Sequence, residues 1–175
     1  MSILSAQSIR RLCINQRRPE SEGSLISPFC ERTVRNGMTY GLDSAGYDIR
    51  TNDSRVMWPG RATKVDAVEY FILPNNIRMK VYDKSTLIRR FIAVQNTKAE
   101  PGWRGYLRVE LTSHSWWFRY IPEGSPIACV EFEWLDEPTE QPYRGKYQNQ
   151  KRNQNAIYEG HRPRRLKKFL DLLRK

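Results

Sequence analysis

The feature that most constrains the fold is a rhythm of short apolar or alternating runs, cut at close intervals by turn signals. The turns fall at NGM (36–38), TND (51–53), WPG (58–60), LPNN (73–76), EPGWRG (100–105) and IPEGSP (121–126). Glycine supplies positive φ, proline presets φ, and Asn and Asp side chains bond nearby backbone, so each cluster ends an extended run. Strand-length runs at such spacing specify an all-β sandwich or barrel. Strands are expected over 46–50, 54–58, 67–73, 77–82, 91–95, 105–112, 117–120 and 127–134. No repeat period is visible. Helical spacing is confined to the two ends. ILSAQSIRRL (3–12) reads as a short N-terminal helix with Ser5 as its N-cap. RPRRLKKFLDLLR (162–174) reads as an amphipathic C-terminal helix, with Leu166, Phe169, Leu170 and Leu173 on one face. That stripe suits docking on the protein itself, with a membrane-surface role for the basic face as the secondary reading. From Asp136 to Asn155 apolar residues thin out and Gln, Asn, Arg and Lys accumulate, as in an extended arm that orders on a ligand or partner.

A chain of 175 residues with 39% hydrophobic and 28% charged residues has the balance of one globular domain. No uncharged apolar run is long enough to span a bilayer, and MSILSAQSIRRLC lacks a signal-peptide core, so a soluble cytoplasmic protein without a membrane role is expected. Cys13, Cys30 and Cys129 are far apart and odd in number, which suits incidental thiols rather than a disulfide framework or a CxxC site. His114 and His161 are isolated, and the H-x-E and P-C-x-x-C segments of zinc deaminases are missing. Any hydrolysis must activate water with a side chain, or with a magnesium ion carried in on phosphates. Of the formal charge of +11, residues 151–175 hold nine Lys and Arg against two acids, so this basic tail carries +7 and the rest only +4. Such a tail can bind nucleic acid, present a solvated face or brace a neighbouring subunit, and nucleic acid ranks as the lesser reading.

Three polar clusters carry candidate chemistry. Lys84-Ser85-Thr86-Leu87-Ile88-Arg89-Arg90 sets cations beside two hydroxyls at a strand end, a combination that suits phosphate oxygens, although a surface helix start would look the same. In EPGWRGYLRVELT (100–112), Pro101 and Gly102 make a turn and Gly105 allows close backbone approach. The strand that follows alternates, with Leu107, Val109 and Leu111 on one face and Tyr106, Arg108, Glu110 and Thr112 on the other. A mid-strand carboxylate with apolar neighbours is placed for partial desolvation and a raised pKa, as a proton shuttle requires. The commoner alternative is an exposed glutamate paired with Arg108 or a cross-strand base. PYRGKYQNQ (142–150) sets Tyr143, Lys146, Tyr147 and Gln150 in a glycine-containing segment able to close over a nucleotide, or to serve only as a polar linker.

In this order the clusters resemble the dCTP deaminase branch of the dUTPase-like superfamily. The matching segments are SAGYDIR (44–50), DKSTLIRR (83–90), AVQNTKAEPGWRGYLRVELT (93–112), EGSPIACVEF (123–132) and PYRGKYQNQ (142–150), with ILSAQSIRR at the start. The likeness covers roughly residues 1–150, including the arm 136–150, and leaves 151–175 as an added tail. It implies a mainly β, distorted jelly-roll dUTPase-like fold, a homotrimer with active sites between subunits, and hydrolytic deamination of dCTP to dUTP and ammonia. It further implies Glu110 as general base and then general acid, Ser85 holding the attacking water, and Arg89 ordering the site. By the same likeness Lys84, Ser85 and Thr86 contact the triphosphate from a neighbouring subunit, and Glu100 meets the sugar 3′-hydroxyl. Arg108 and Val109 flank the base, while Tyr143, Lys146 and Gln150 cover phosphates that carry Mg2+. SAGYDIR is nearer the dUTPase form of its motif, and the segment from Arg89 to Pro101 is shorter than in some deaminases.

The rivals are a dUTPase, a bifunctional enzyme carrying dCTP through to dUMP with Glu100 as a second acid, and a non-catalytic nucleotide- or nucleic-acid-binding module. KYQNQ in place of a glycine-rich arm, and an acid at position 110, weigh against a pure dUTPase. The joint presence of Ser85, Arg89 and Glu110 weighs against a dead site.

Overall fold

The computed structural model describes residues 2–14 and 23–153, so the helix expected over 162–174 and the tail from residue 154 lie outside the described residues. In chain order the elements are β1 (Ser2–Ile3), α1 (Ala6–Ile14), β2 (Ile26–Ser27), β3 (Thr33–Arg35), β4 (Met38–Leu42), β5 (Tyr47–Arg50), β6 (Arg55–Met57) and β7 (Ala62–Ile72). There follow β8 (Ile77–Tyr82), α2 (Ser85–Ile88), β9 (Ile92–Val94), β10 (Lys98–Ala99), β11 (Arg104–Ser113), β12 (Arg119–Ile121) and β13 (Pro126–Trp134). Every strand expected from the turn rhythm is present. The N-terminal helix is also present, but it starts three residues later than expected. Ser5 accepts from the Ile9 amide through its carbonyl at 3.0 Å, the bond an N-cap residue makes. Ser2 and Ile3 instead pair with Trp134 and Glu133 of β13.

Two antiparallel sheets and a ribbon make up the described fold. One sheet runs β10-β8-β13-β5-β4-β3, with β1 also on β13; the other runs β2-β7-β11-β9; β6 and β12 form the ribbon. Alternation decides which faces meet. Val65, Ala67 and Phe71 of β7 and Leu107, Val109 and Leu111 of β11 are buried, as are Ile77, Met79 and Val81 of β8 and Ala128, Val130 and Phe132 of β13. The inner faces interdigitate, with Phe71 and Phe132 rings 6.3 Å apart between the sheets. This is the mainly β, jelly-roll type of core expected from the sequence.

The segment 46–50 locks that core. Gly46 is needed because an added Cβ would lie 2.8 Å from the Val130 carbonyl oxygen. The buried Tyr47 ring receives the Cys30 amide at its hydroxyl, 3.1 Å away. Arg50 donates through its amide and its Nε to the two oxygens of Glu69, at 3.0 and 2.8 Å, which ties β5 to β7 of the other sheet. Glu69 is fully buried, and burial pushes its carboxyl above the usual range although Arg50 pulls the other way.

Candidate active site

Ten-residue β11 positions the central carboxylate. Leu107, Val109, Leu111 and Ser113 point into the core, so Tyr106, Arg108, Glu110 and Thr112 share the opposite face, each half-buried. Glu110 sits opposite Lys64 of β7, and its backbone carbonyl accepts from the Gln95 amide at 2.8 Å. Arg108 is set by Asp66, whose Oδ1 and Oδ2 accept from Nε and Nη2 at 2.7 and 2.8 Å. That bidentate geometry fixes the plane of the guanidinium as well as its charge. Burial pushes the Asp66 carboxyl up, but Arg108 and the Asn153 amide outweigh it and hold the group below its ordinary range.

The arm folds onto the first half of β11 and the turn before it. The Tyr143 amide donates to the Pro101 carbonyl at 2.8 Å, and the Trp103 indole donates to the Tyr147 carbonyl at 2.9 Å. The Gln148 side chain accepts from the Arg104 amide and donates to the Gly102 and Tyr143 carbonyls. Asn149 donates to the Arg104 carbonyl and Tyr106 to the Gln150 carbonyl, both at 2.9 Å, around the Gly105–Gln150 bridge. Gly105 makes that approach possible: its φ is +151°, and an added Cβ would lie 2.7 Å from the Gln150 nitrogen. Farther on, the Arg152 guanidinium lies 4.0 Å over the Tyr106 ring and the Asn153 amide donates to Asp66 at 2.7 Å. The arm is thus bonded to its own chain at both β11 and β7. Lys146 lies 4.8 Å over the Tyr147 ring. Beside the arm a cavity of about 610 Å³ is lined by Asn75, Arg104, Trp134, Tyr143 and Arg144 among others; of the expected site residues only Tyr143 reaches it.

The cluster at 84–90 divides. Lys84 is buried, with its ammonium donating to Asp48 and to Thr39. Its charge is thus engaged inside the chain rather than presented to a ligand. Burial pushes Asp48 above its usual range, and Lys84 opposes this without cancelling it. Ser85 and Arg89, in contrast, stand exposed on the one-turn α2 and at its end, with Thr86 half-buried. Among the described residues, no hydrogen bond or ion pair joins either of them to the Glu110 side chain within one chain. Glu100, half-buried, pairs with Lys98 at 2.7 Å, and its carbonyl accepts from the Trp103 amide at 3.1 Å. Val109 is in the core, so it can meet a ligand only through its backbone.

Sequence reasoning missed Asp48, Asp66, Trp103, Gln148, Arg152 and Asn153. Asp48 and Trp103 lie inside the segments that carried the resemblance, while Asp66 gave no local signal. Among the described residues no three His, Cys, Asp or Glu side chains are grouped to hold a metal ion, and no helix is long and apolar enough to cross a membrane.

No family model matches the sequence. The chain is 33% identical over 164 residues to the dCTP deaminase of Helicobacter pylori strain G27, covering 74% of this chain and 87% of that one. The chain belongs to the dCTP deaminase family. A second family member, from Acidobacterium capsulatum, is 29% identical over 183 residues, covering 86% of this chain and 96% of its own. Solved structures agree on the fold. The dCTP deaminase of Agrobacterium tumefaciens superposes with a TM-score of 0.60 at 16% identity, covering 76% of this chain and 48% of that one. A point mutant of the dUTPase from Staphylococcus aureus phage phi11 superposes with a TM-score of 0.51 at 15% identity, covering 69% and 94%. The fold of this deaminase family member is therefore dUTPase-like.

Proposed function

We propose that this protein hydrolyses the exocyclic amine of dCTP to give dUTP and ammonia, without zinc, and with Glu110 as the acid–base group. The observation that carries the reading is the placement of Glu110 at mid-strand on the outward face of β11. It is half-buried, beside an arginine already fixed by another carboxylate, on the strand whose start receives the arm. Glu110 takes a proton from water as the water oxygen bonds to C4 of the cytosine. The proton passes to N3, and a second proton transfer through Glu110 reaches the exocyclic nitrogen. The C4–N bond then breaks and ammonia leaves. Ser85 holds the attacking water and Arg89 supports developing charge. Arg108 and the Val109 backbone flank the base, Glu100 meets the 3′-hydroxyl, and Thr86 with Tyr143, Lys146 and Gln150 serves the phosphates.

Within one chain Ser85 and Arg89 are exposed and unlinked to Glu110, which supports a site completed by a neighbouring subunit in a homotrimer. Trp58, Trp116, Trp117, Phe118 and Tyr120, exposed around the β6–β12 ribbon, are suited to burial between copies. A Mg2+ ion fits as a passenger on the triphosphate: the described donor set offers no protein cage, and Mg2+ takes phosphate oxygens and water readily. When bound it supplies neutralisation of phosphate charge. Lys84 then acts by setting the 83–90 segment through Asp48 rather than by touching phosphate.

The test is incubation of the enzyme with dCTP, dCMP, CTP and dUTP, with products separated by chromatography. Deamination of dCTP is expected to give dUTP and ammonia, and dUMP with pyrophosphate would mark the bifunctional alternative. Glu110→Gln is expected to lose ~100- to 10,000-fold in rate; turnover at the parental rate would remove Glu110 from the chemistry.

A further inference from the structure

Asp66 is only 3% exposed, yet it carries a charge, and three donors account for it. Two come from the Arg108 guanidinium at 2.7 and 2.8 Å and one from the Asn153 amide at 2.7 Å. Arg108 and Glu110 stand two residues apart on one face of β11, so the long arginine side chain has the reach to close on Glu110 as easily as on β7. A guanidinium fork on Glu110 would occupy the lone pairs that must accept a proton. The same carboxylate, through Asn153, also fastens the end of the arm, where Arg152 stacks on Tyr106 and donates to the Ala67 carbonyl at 3.3 Å.

We propose that Asp66 is a positioning residue that draws the Arg108 fork across the strand pair, so that the Glu110 carboxylate stays available to water, and that fastens the arm at the same point. The inference rests on Glu110 being the acid–base group. The charged groups facing Glu110 are Arg108 on its own strand and Lys64 opposite on β7, with uncharged Gln95 on the β9 side. Those facing Asp66 are Arg108 and, at longer range, Arg55, with Arg152 close by on the arm. Asp66 foremost, with a smaller contribution from Glu110, raises the Arg108 guanidinium above its ordinary range. The pair therefore stays ionised wherever the enzyme is assayed, and the selection of partner by Arg108 is geometric.

The full-length enzyme, Asp66→Asn, Asp66→Asn with Arg108→Met, and Glu110→Gln are compared for kcat and KM with dCTP from pH 5 to 9, together with thermal melting. Asparagine offers one acceptor and turns an amide NH2 toward the guanidinium. Asp66→Asn is expected to lower kcat on the order of 10-fold and to move the acid limb of the kcat profile to lower pH. Its KM is expected to rise as the arm loosens. Adding Arg108→Met removes the fork and is expected to return the acid limb to its parental position while KM, which Arg108 and the arm both serve, stays high, a recovery that a merely structural role for Asp66 does not produce. Parental kcat and pH profile in Asp66→Asn, or no recovery in the double variant, overturns the proposal. Should Asp66→Asn fail to fold, Asp66→Glu takes its place. The same rescue by Arg108→Met is then expected, and its absence is equally fatal. A Glu110→Gln variant with parental turnover overturns the underlying reading instead.

Discussion

Gly105→Ala tests whether docking of the arm on β11 serves catalysis. The new methyl would stand 2.7 Å from the Gln150 nitrogen and 3.1 Å from its oxygen, both backbone atoms that cannot swing aside. The φ of +151° is also a conformation L side chains rarely adopt, at a cost of about 2 kcal/mol. Displacing Gln150 loosens the Tyr106–Gln150 and Asn149–Arg104 bonds, each worth roughly 1 kcal/mol net. If about 3 kcal/mol of this falls on docking, the docked fraction drops on the order of a hundred-fold relative to the undocked one. The three atoms nearest the added Cβ all belong to Gln150 rather than to a core side chain, so the fold should survive. Hydrogen exchange at amides 106, 143 and 149 reports docking directly, and KM for dCTP reports its use. Faster exchange and a KM raised by up to ~100-fold are expected, with kcat at saturation changed less. Parental protection at those amides would refute the steric reasoning. Lost protection with an unchanged KM would refute the role given to the arm.

The clasp at Asp66 has an acid limit. Its folded pKa is held below the unfolded value, so its contribution is present above about pH 4 and is lost as pH falls through the folded value; arm amides should exchange faster below that point. Glu69→Ala strands Arg50, whose side chain is 16% exposed, and should cost about 3–5 kcal/mol, read by thermal or denaturant unfolding. Lys84→Met leaves Asp48, whose carboxyl is already raised by burial, without its cation. A raised folded pKa means that stability present at low pH is lost as pH rises, so this variant should melt lower as pH is raised above about 4. A melting temperature in Lys84→Met that tracks the parent across that range would show that the lysine is not structural.

What the sequence made legible was local. The strand over 77–82 is matched residue for residue, and the alternation along β11 put Glu110 and Arg108 on the correct shared face. The NG turn at 36–37 was seen, but the β3–β4 hairpin around it was not, because Thr33, Val34 and Arg35 are all exposed and show no apolar alternation. β7 begins five residues earlier than expected because Thr63, Lys64 and Asp66 break the apolar pattern. Asp66 is tolerated there because Arg108, 42 positions away in sequence, and the Asn153 amide close on it. The pairing of Lys84 was hidden for the same reason: nothing near it in sequence discloses Asp48, 36 positions earlier. Pairings of this range arise from sheet register, which no window along the chain contains.

The inward turn of Gly46, Tyr47, Asp48 and Arg50 has a consequence for redesign. The Tyr47 and Arg50 side chains are spent on closing the sandwich, so changes there would disturb the container before they reached the outer face of β11. Retargeting this scaffold to another base or another leaving group should therefore begin at positions 106, 108, 110 and 112, with 46–50 carried over untouched.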